Sequence, residues 1–213
     1  MGHDSIDEPV LYFLGKGQKQ KMEVSMIKKI VDDVMPQMIS DRRHLHKHPE
    51  LSFEEYQTTE FLCRELEAAG IEDIRRPVKT GVVAVIHGVY PGKTVAIRAD
   101  IDALPIQEKN ELEFCSVNDG VMHACGHDGH AAMLLAAARI FEQHKDELHG
   151  SIVCIFQHAE EVPPGGAQEL YEAGVMEGVD ELYGLHLSSN FPTGTYGVRA
   201  GALTSATDRF DIR

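Results

Sequence analysis

At 213 residues, with 43% hydrophobic and 25% charged side chains, the chain has room for one well-buried domain and the start of a second. A formal charge of -14 repels phosphate backbones and anionic lipid heads, so neither nucleic acid nor a membrane is expected as a partner. No apolar run approaches the ~20 residues that span a bilayer, and Val10–Leu14 is too short for a signal-peptide core, which makes a cytoplasmic location the expectation. The four cysteines have no framework spacing and are expected as thiols, with Cys63 and Cys154 among apolar neighbours as core residues.

Residues 1–23 read as an extension. From Val24 to His48, apolar side chains recur at helical spacing, with Pro36 expected to kink or divide the helix. Ser52 and Glu55 have capping-box spacing ahead of an amphipathic helix over 54–69 that Gly70 ends. Val82–His87 and Thr94–Arg98 are β-branched runs joined by a Pro91-Gly92 turn, hence two strands. An Ala-rich helix follows over 129–143, with Asp128 placed to cap it. Ser151–Gln157 is apolar almost throughout, as a strand buried on both faces should be. A helix over 166–172 and a strand over 181–187 complete an alternation that predicts an α/β class: three layers around a largely parallel central sheet. Residues 196–213 return to β-like alternation. The expected domain division is 24–198, with 199–213 beginning a smaller α+β unit.

Four segments concentrate metal-binding groups, and three follow the end of a strand, the rim where open α/β sheets bind ligands. In His123-Ala124-Cys125-Gly126-His127-Asp128, a tight turn at Gly126 can aim Cys125 and His127 at one point, a donor pair that suits zinc and similar metals. The following helix N-terminus is expected to favour the Cys125 thiolate, and Asp128 to accept a hydrogen bond from a ligating imidazole. Glu160-Glu161 sits just past the buried strand, where one carboxylate can bind metal and the other take a proton from water. His186 ends another strand, while Asp100 and Asp102 follow Thr94–Arg98, with an Arg98–Asp100 ion pair as plausible as direct ligation. His44 and His48, four apart on a helix, could also share a metal but read better as a structural or surface feature.

Taken in order, Arg43-His44-Leu45-His46, His48-Pro49-Glu50-Leu51, Arg98-Ala99-Asp100-Ile101-Asp102-Ala103-Leu104-Pro105, His123–His130 and Gln157-His158-Ala159-Glu160-Glu161 resemble the M20 metallopeptidase family, in its amidohydrolase branch. The resemblance runs from about Val24 to Arg213. It implies a metal-dependent amidohydrolase that cleaves small N-acyl amino acids by attack of a metal-bound hydroxide. It also implies two divalent ions (Zn, Mn, Co or Ni) and a homo-oligomeric full-length protein. Position by position, Cys125, His127, Glu161 and His186 become metal ligands, with Cys125 or Glu161 able to bridge the ions. Glu160 becomes the general base, and Asp100 and Asp128 lie just behind the ligands. Where the family usually has proline this chain has His158. Family members continue past Arg213 into the rest of a lid and dimerisation domain and a last histidine ligand, so the chain reads as cut short at its C-terminus. An M20 dipeptidase or a metal-binding fragment without activity are the other readings.

Overall fold

The structure, a computed structural model, describes residues 24–202. The extension at 1–23 and most of the expected second unit lie outside the described residues. Helices α1 (Val24–Lys47) and α2 (Tyr56–Ala68) are followed by strands β1 (Asp73–Arg75), β2 (Val82–His87) and β3 (Tyr90–Asp100). Then come α3 (His127–Gln143), β4 (His149–Gln157), α4 (Gly166–Glu172) and β5 (Glu181–Gly184). Helix α1 runs unbroken through Pro36. Among the described residues no helix is long and apolar enough to cross a membrane.

The five strands form one sheet in the order β1-β2-β4-β3-β5. Strand β4 is antiparallel to β2 (Ala84 opposite Cys154) and parallel to β3 (Ala99 opposite Phe156), and β5 runs parallel to β3. The sheet is therefore mixed, and its parallel half, β4-β3-β5, ends along one rim. Pro91-Gly92 does not join neighbouring strands as its sequence suggests. It lies inside β3 at a register irregularity between Tyr90 and Thr94, and β4 separates β2 from β3. The reason is burial: Ile152 to Gln157 are all buried, which suits β4 to a central position with partners on both edges.

Alternation along β2 sorts side chains onto two faces. Val82, Ala84 and Ile86 pack with Leu62 and Leu66 of α2 and Leu135 and Ala138 of α3, whereas Val83 and Val85 pack with Leu170 of α4. This is the three-layer arrangement, with α1–α3 on one face and α4 on the other. Cys63 and Cys154 are buried thiols, as expected.

Two helix starts differ from their sequence readings. The Ser52/Glu55 capping box does not form. Ser52 Oγ donates to Asp102 Oδ2, Glu55 turns inward, and the Glu50 carboxylate instead accepts the N–H groups of Gln57 and Thr58. Helix α3 begins at His127 behind a left-handed Gly126 (φ 93°), so Asp128 sits in its first turn and makes no cap bond. Strand β5 stops at Gly184, two residues short of His186, and residues 196–202 form no strand.

Candidate metal centre

Three parallel strands deliver the acidic and histidine segments to one place. Asp100 is the last residue of β3, Glu160 and Glu161 lie just past β4, and His186 just past β5. The start of α3 brings Cys125 and His127 to the same rim. Among the described residues, three groups of possible donor atoms each lie within 4.8 Å of one another: Cys125, His127 and His186; Asp100, His127 and His130; and His127, Glu160 and Glu161. Cys125 Sγ is 3.4 Å from His186 Nε2, and His127 Nε2 is 3.7 Å from Glu161 Oε1 and 3.6 Å from Asp100 Oδ2.

The His127 imidazole is buried, and its Nδ1 lies 2.9 Å from the Asp102 carbonyl and 3.1 Å from Asp102 Oδ1. A carbonyl only accepts, so Nδ1 carries the proton and Nε2 presents a lone pair. Asp102 is the organiser of the centre. Its Oδ2 also accepts from Ser52 Oγ at 2.6 Å and from the Glu161 N–H at 3.0 Å. Burial opposes ionisation of Asp102, but the bonds from His127, Ser52 and the backbone of Glu161 and Glu160 bring its pKa down to about 2. Sequence order suggests Asp128 for the role of holding a ligand imidazole. The structure turns Asp128 to α1, where Oδ2 meets His46 Nδ1 at 2.8 Å and Arg42 Nε at 3.0 Å. Asp100 accepts from Arg98 Nη1 at 2.8 Å, the ion pair that its spacing allows, and from His130.

The loop carrying the two glutamates is fastened at its base. Ala159 is fully buried with φ 46°, a left-handed backbone that a non-glycine residue holds only when its surroundings impose it. Its N–H donates to Glu55 Oε1 at 2.8 Å, its carbonyl accepts from the Gly166 N–H at 2.8 Å, and Thr80 Oγ1 donates to Glu55 Oε2. Glu55 is 0% exposed, and its desolvation raises its pKa against these bonds. Next along the chain, Glu160 is exposed at the rim and Glu161 half-buried.

Cys125 departs from expectation. Burial, with Glu161, Asp100 and Glu160 close by, pushes its thiol up to about 12, outweighing the helix terminus that follows. The thiolate needs a cation. The rival pair in the sequence, His44 in the last turn of α1 and His48 just past its end, is exposed with rings 4.9 Å apart, and it joins none of the donor groups. Between them His46 is buried, with Nε2 3.1 Å from Glu108 Oε1. Glu55 and Ser52 carry no sequence signal for a part in the centre, whereas His130 and Asp102 are marked only as members of the His123–His130 and Arg98–Pro105 motifs, with no role attached.

The model of "Peptidase family M20/M25/M40" matches residues 96–211. An N-acyl-L-amino acid amidohydrolase from Geobacillus stearothermophilus is 54% identical over 187 residues, covering 88% of this chain and 50% of that protein. Thermostable carboxypeptidase 1 of Saccharolobus solfataricus is 46% identical over 191 residues, covering 89% and 49%. The crystal structure of Bacillus subtilis YXEP protein, described as a dinuclear metal-binding peptidase from the M20 family, superposes with a TM-score of 0.76 at 48% identity, over 80% of this chain and 48% of that one. The chain spans about half the length of these relatives. With the matched model extending over more than half of its residues, the chain belongs to peptidase family M20/M25/M40.

Proposed function

We propose that this chain carries the metal-binding half of an amidohydrolase that cleaves N-acyl amino acids with two divalent cations. One observation carries the reading. His127 Nε2 and Glu161 Oε1 are buried with no hydrogen-bond partner; they lie 3.7 Å apart, and the His127 imidazole, shared with the Cys125–His186 pair, links the two donor groups. Buried polar atoms are rarely left unpaired, and a thiol, two imidazoles and a carboxylate form a set that suits Zn, Mn, Co or Ni. The residues fit such ions, with Cys125, His127, Glu161 and His186 as ligands. Bound there, the cations supply Lewis acidity, which acidifies water and polarises an amide carbonyl.

The chain's own residues do the rest. Asp102 fixes the His127 tautomer and, through the Glu161 N–H, the direction of the neighbouring carboxylate. Glu160, exposed beside them, takes the proton from the attacking water and delivers it to the departing amine. The substrate class follows the similarity to the Geobacillus amidohydrolase and to an N-acetylcysteine deacetylase from Bacillus subtilis, 49% identical over 176 residues. The similarity to a carboxypeptidase supports a second reading as an exopeptidase, and assaying N-acetyl amino acids beside dipeptides separates the two. Replacing Glu160 by Gln should lower turnover of an N-acetyl amino acid by about 10²- to 10⁴-fold while metal content stays at the wild-type level. Full turnover in Glu160→Gln contradicts the assignment.

A further inference from the structure

One imidazole reaches the rim without belonging to the proposed ligand set. His130 is 3% exposed, its Nδ1 lies 2.5 Å from Asp100 Oδ1, and its Nε2 receives the Leu187 N–H at 2.8 Å. A backbone amide can only donate, so Nε2 is unprotonated and Nδ1 gives its proton to Asp100. Both ring nitrogens are committed. Although His130 stands close enough to Asp100 and His127 to form a donor group, it has no lone pair left for a cation.

Leu187 is where these bonds lead. Its carbonyl accepts Nδ1–H of His186 at 2.5 Å, which leaves His186 Nε2 as a bare lone pair 3.4 Å from Cys125 Sγ. The Leu187 side chain seats over the start of α3, where a Cβ on Gly129 would come within 2.6 Å of Leu187 Cδ1. The segment from Leu182 to Ala202 is exposed, Leu187 and His186 included. We infer that His130 is a positioning residue: by holding the Leu187 backbone it fixes the tautomer and aim of His186 toward the cation site. The inference rests on the metal-binding reading above.

The two ring nitrogens can be mimicked separately. A glutamine places its amide near the Nε2 position and can still accept from Leu187, whereas an asparagine reaches only as far as Nδ1. Cobalt(II) is titrated into the metal-free protein, followed by thiolate-to-cobalt absorption and by competition with a chelator. His130→Asn should weaken cobalt binding by roughly 10- to 100-fold, and His130→Gln by no more than about threefold. Equal affinities in the two variants overturn the inference while leaving the metal reading intact. A wild-type protein that takes up no cobalt, or His186→Ala binding it at full strength, overturns the metal reading and this inference with it. A measurement on the unmutated, metal-free protein guards against a variant that fails to fold: the Leu187 amide should exchange its hydrogen slowly for so exposed a segment. Fast exchange contradicts the tether.

Discussion

The ends of β4 and β5 both carry groups assigned to the metal centre, yet they are held in opposite ways. Past β4, Ala159 is fastened through both its backbone groups, Glu161 is tied by its N–H to Asp102, and the anchoring carboxylates of Glu55 and Asp102 are buried. Past β5, His186 is exposed and depends on one backbone amide, that of Leu187, caught by His130. The first loop is built into the core, so disturbing it should cost stability as well as function. The second is an appendage whose loss should cost function alone.

The sharpest way to break this contrast is Asp102→Ala. It leaves the Ser52 hydroxyl and the Glu161 N–H without their acceptor and the His127 Nδ1–H with the backbone carbonyl of residue 102 alone, and should destabilise the fold by about 3–5 kcal/mol in denaturant unfolding. A loss below ~1 kcal/mol would mean the β4 loop is not anchored in the core. Glu55→Ala should come next, at about 1–3 kcal/mol, because the buried Ala159 N–H loses its only acceptor among the described contacts. Glu55→Gln, which keeps an oxygen there, should cost less.

A pH effect of smaller size belongs to the rear of the centre. The Asp128 hydrogen bond, against desolvation and with help from Glu108, raises the pKa of His46 above 6.5. Its stabilisation is complete below about 6.5 and fades as pH rises through the raised value. Desolvation pushes the Glu108 carboxyl up, but bonds from the Ser116 N–H, Asn110 and His46 bring it down to about 2. Its contribution is therefore complete above about 4.5 and is lost as pH falls toward 2. The melting-temperature advantage of the wild type over His46→Leu should peak between about pH 4.5 and 6.5 and shrink on either side. Smallest of all, His186→Ala should leave stability within about 0.5 kcal/mol of wild type while lowering metal affinity. A large stability loss there would erase the difference between the two loops.

The strand ends and the clustered donors are legible in the sequence because each short motif lies next to a strongly patterned element. Ser151–Gln157 announces a buried strand, and Glu160-Glu161 follows it at once. What stays hidden is non-local. Asp128 is the nearest carboxylate to His127 along the chain, but consecutive helical residues point about 100° apart, so Asp128 faces α1 and the distant Asp102 takes the imidazole. Ser52 and Glu55 have capping-box spacing, yet long-range partners claim both side chains. Pro91-Gly92 reads as a turn until β4, far along the chain, inserts between β2 and β3.

Everything proposed for the rim requires one thiol, two imidazoles and one carboxylate to meet on shared cations. Anomalous diffraction from crystals of the metal-loaded protein, recorded at the metal's absorption edge, tests it most directly. Peaks are expected in contact with Cys125 Sγ, His127 Nε2, Glu161 and His186 Nε2. A peak confined to His44 and His48, or none within reach of Cys125 and His127, would contradict it.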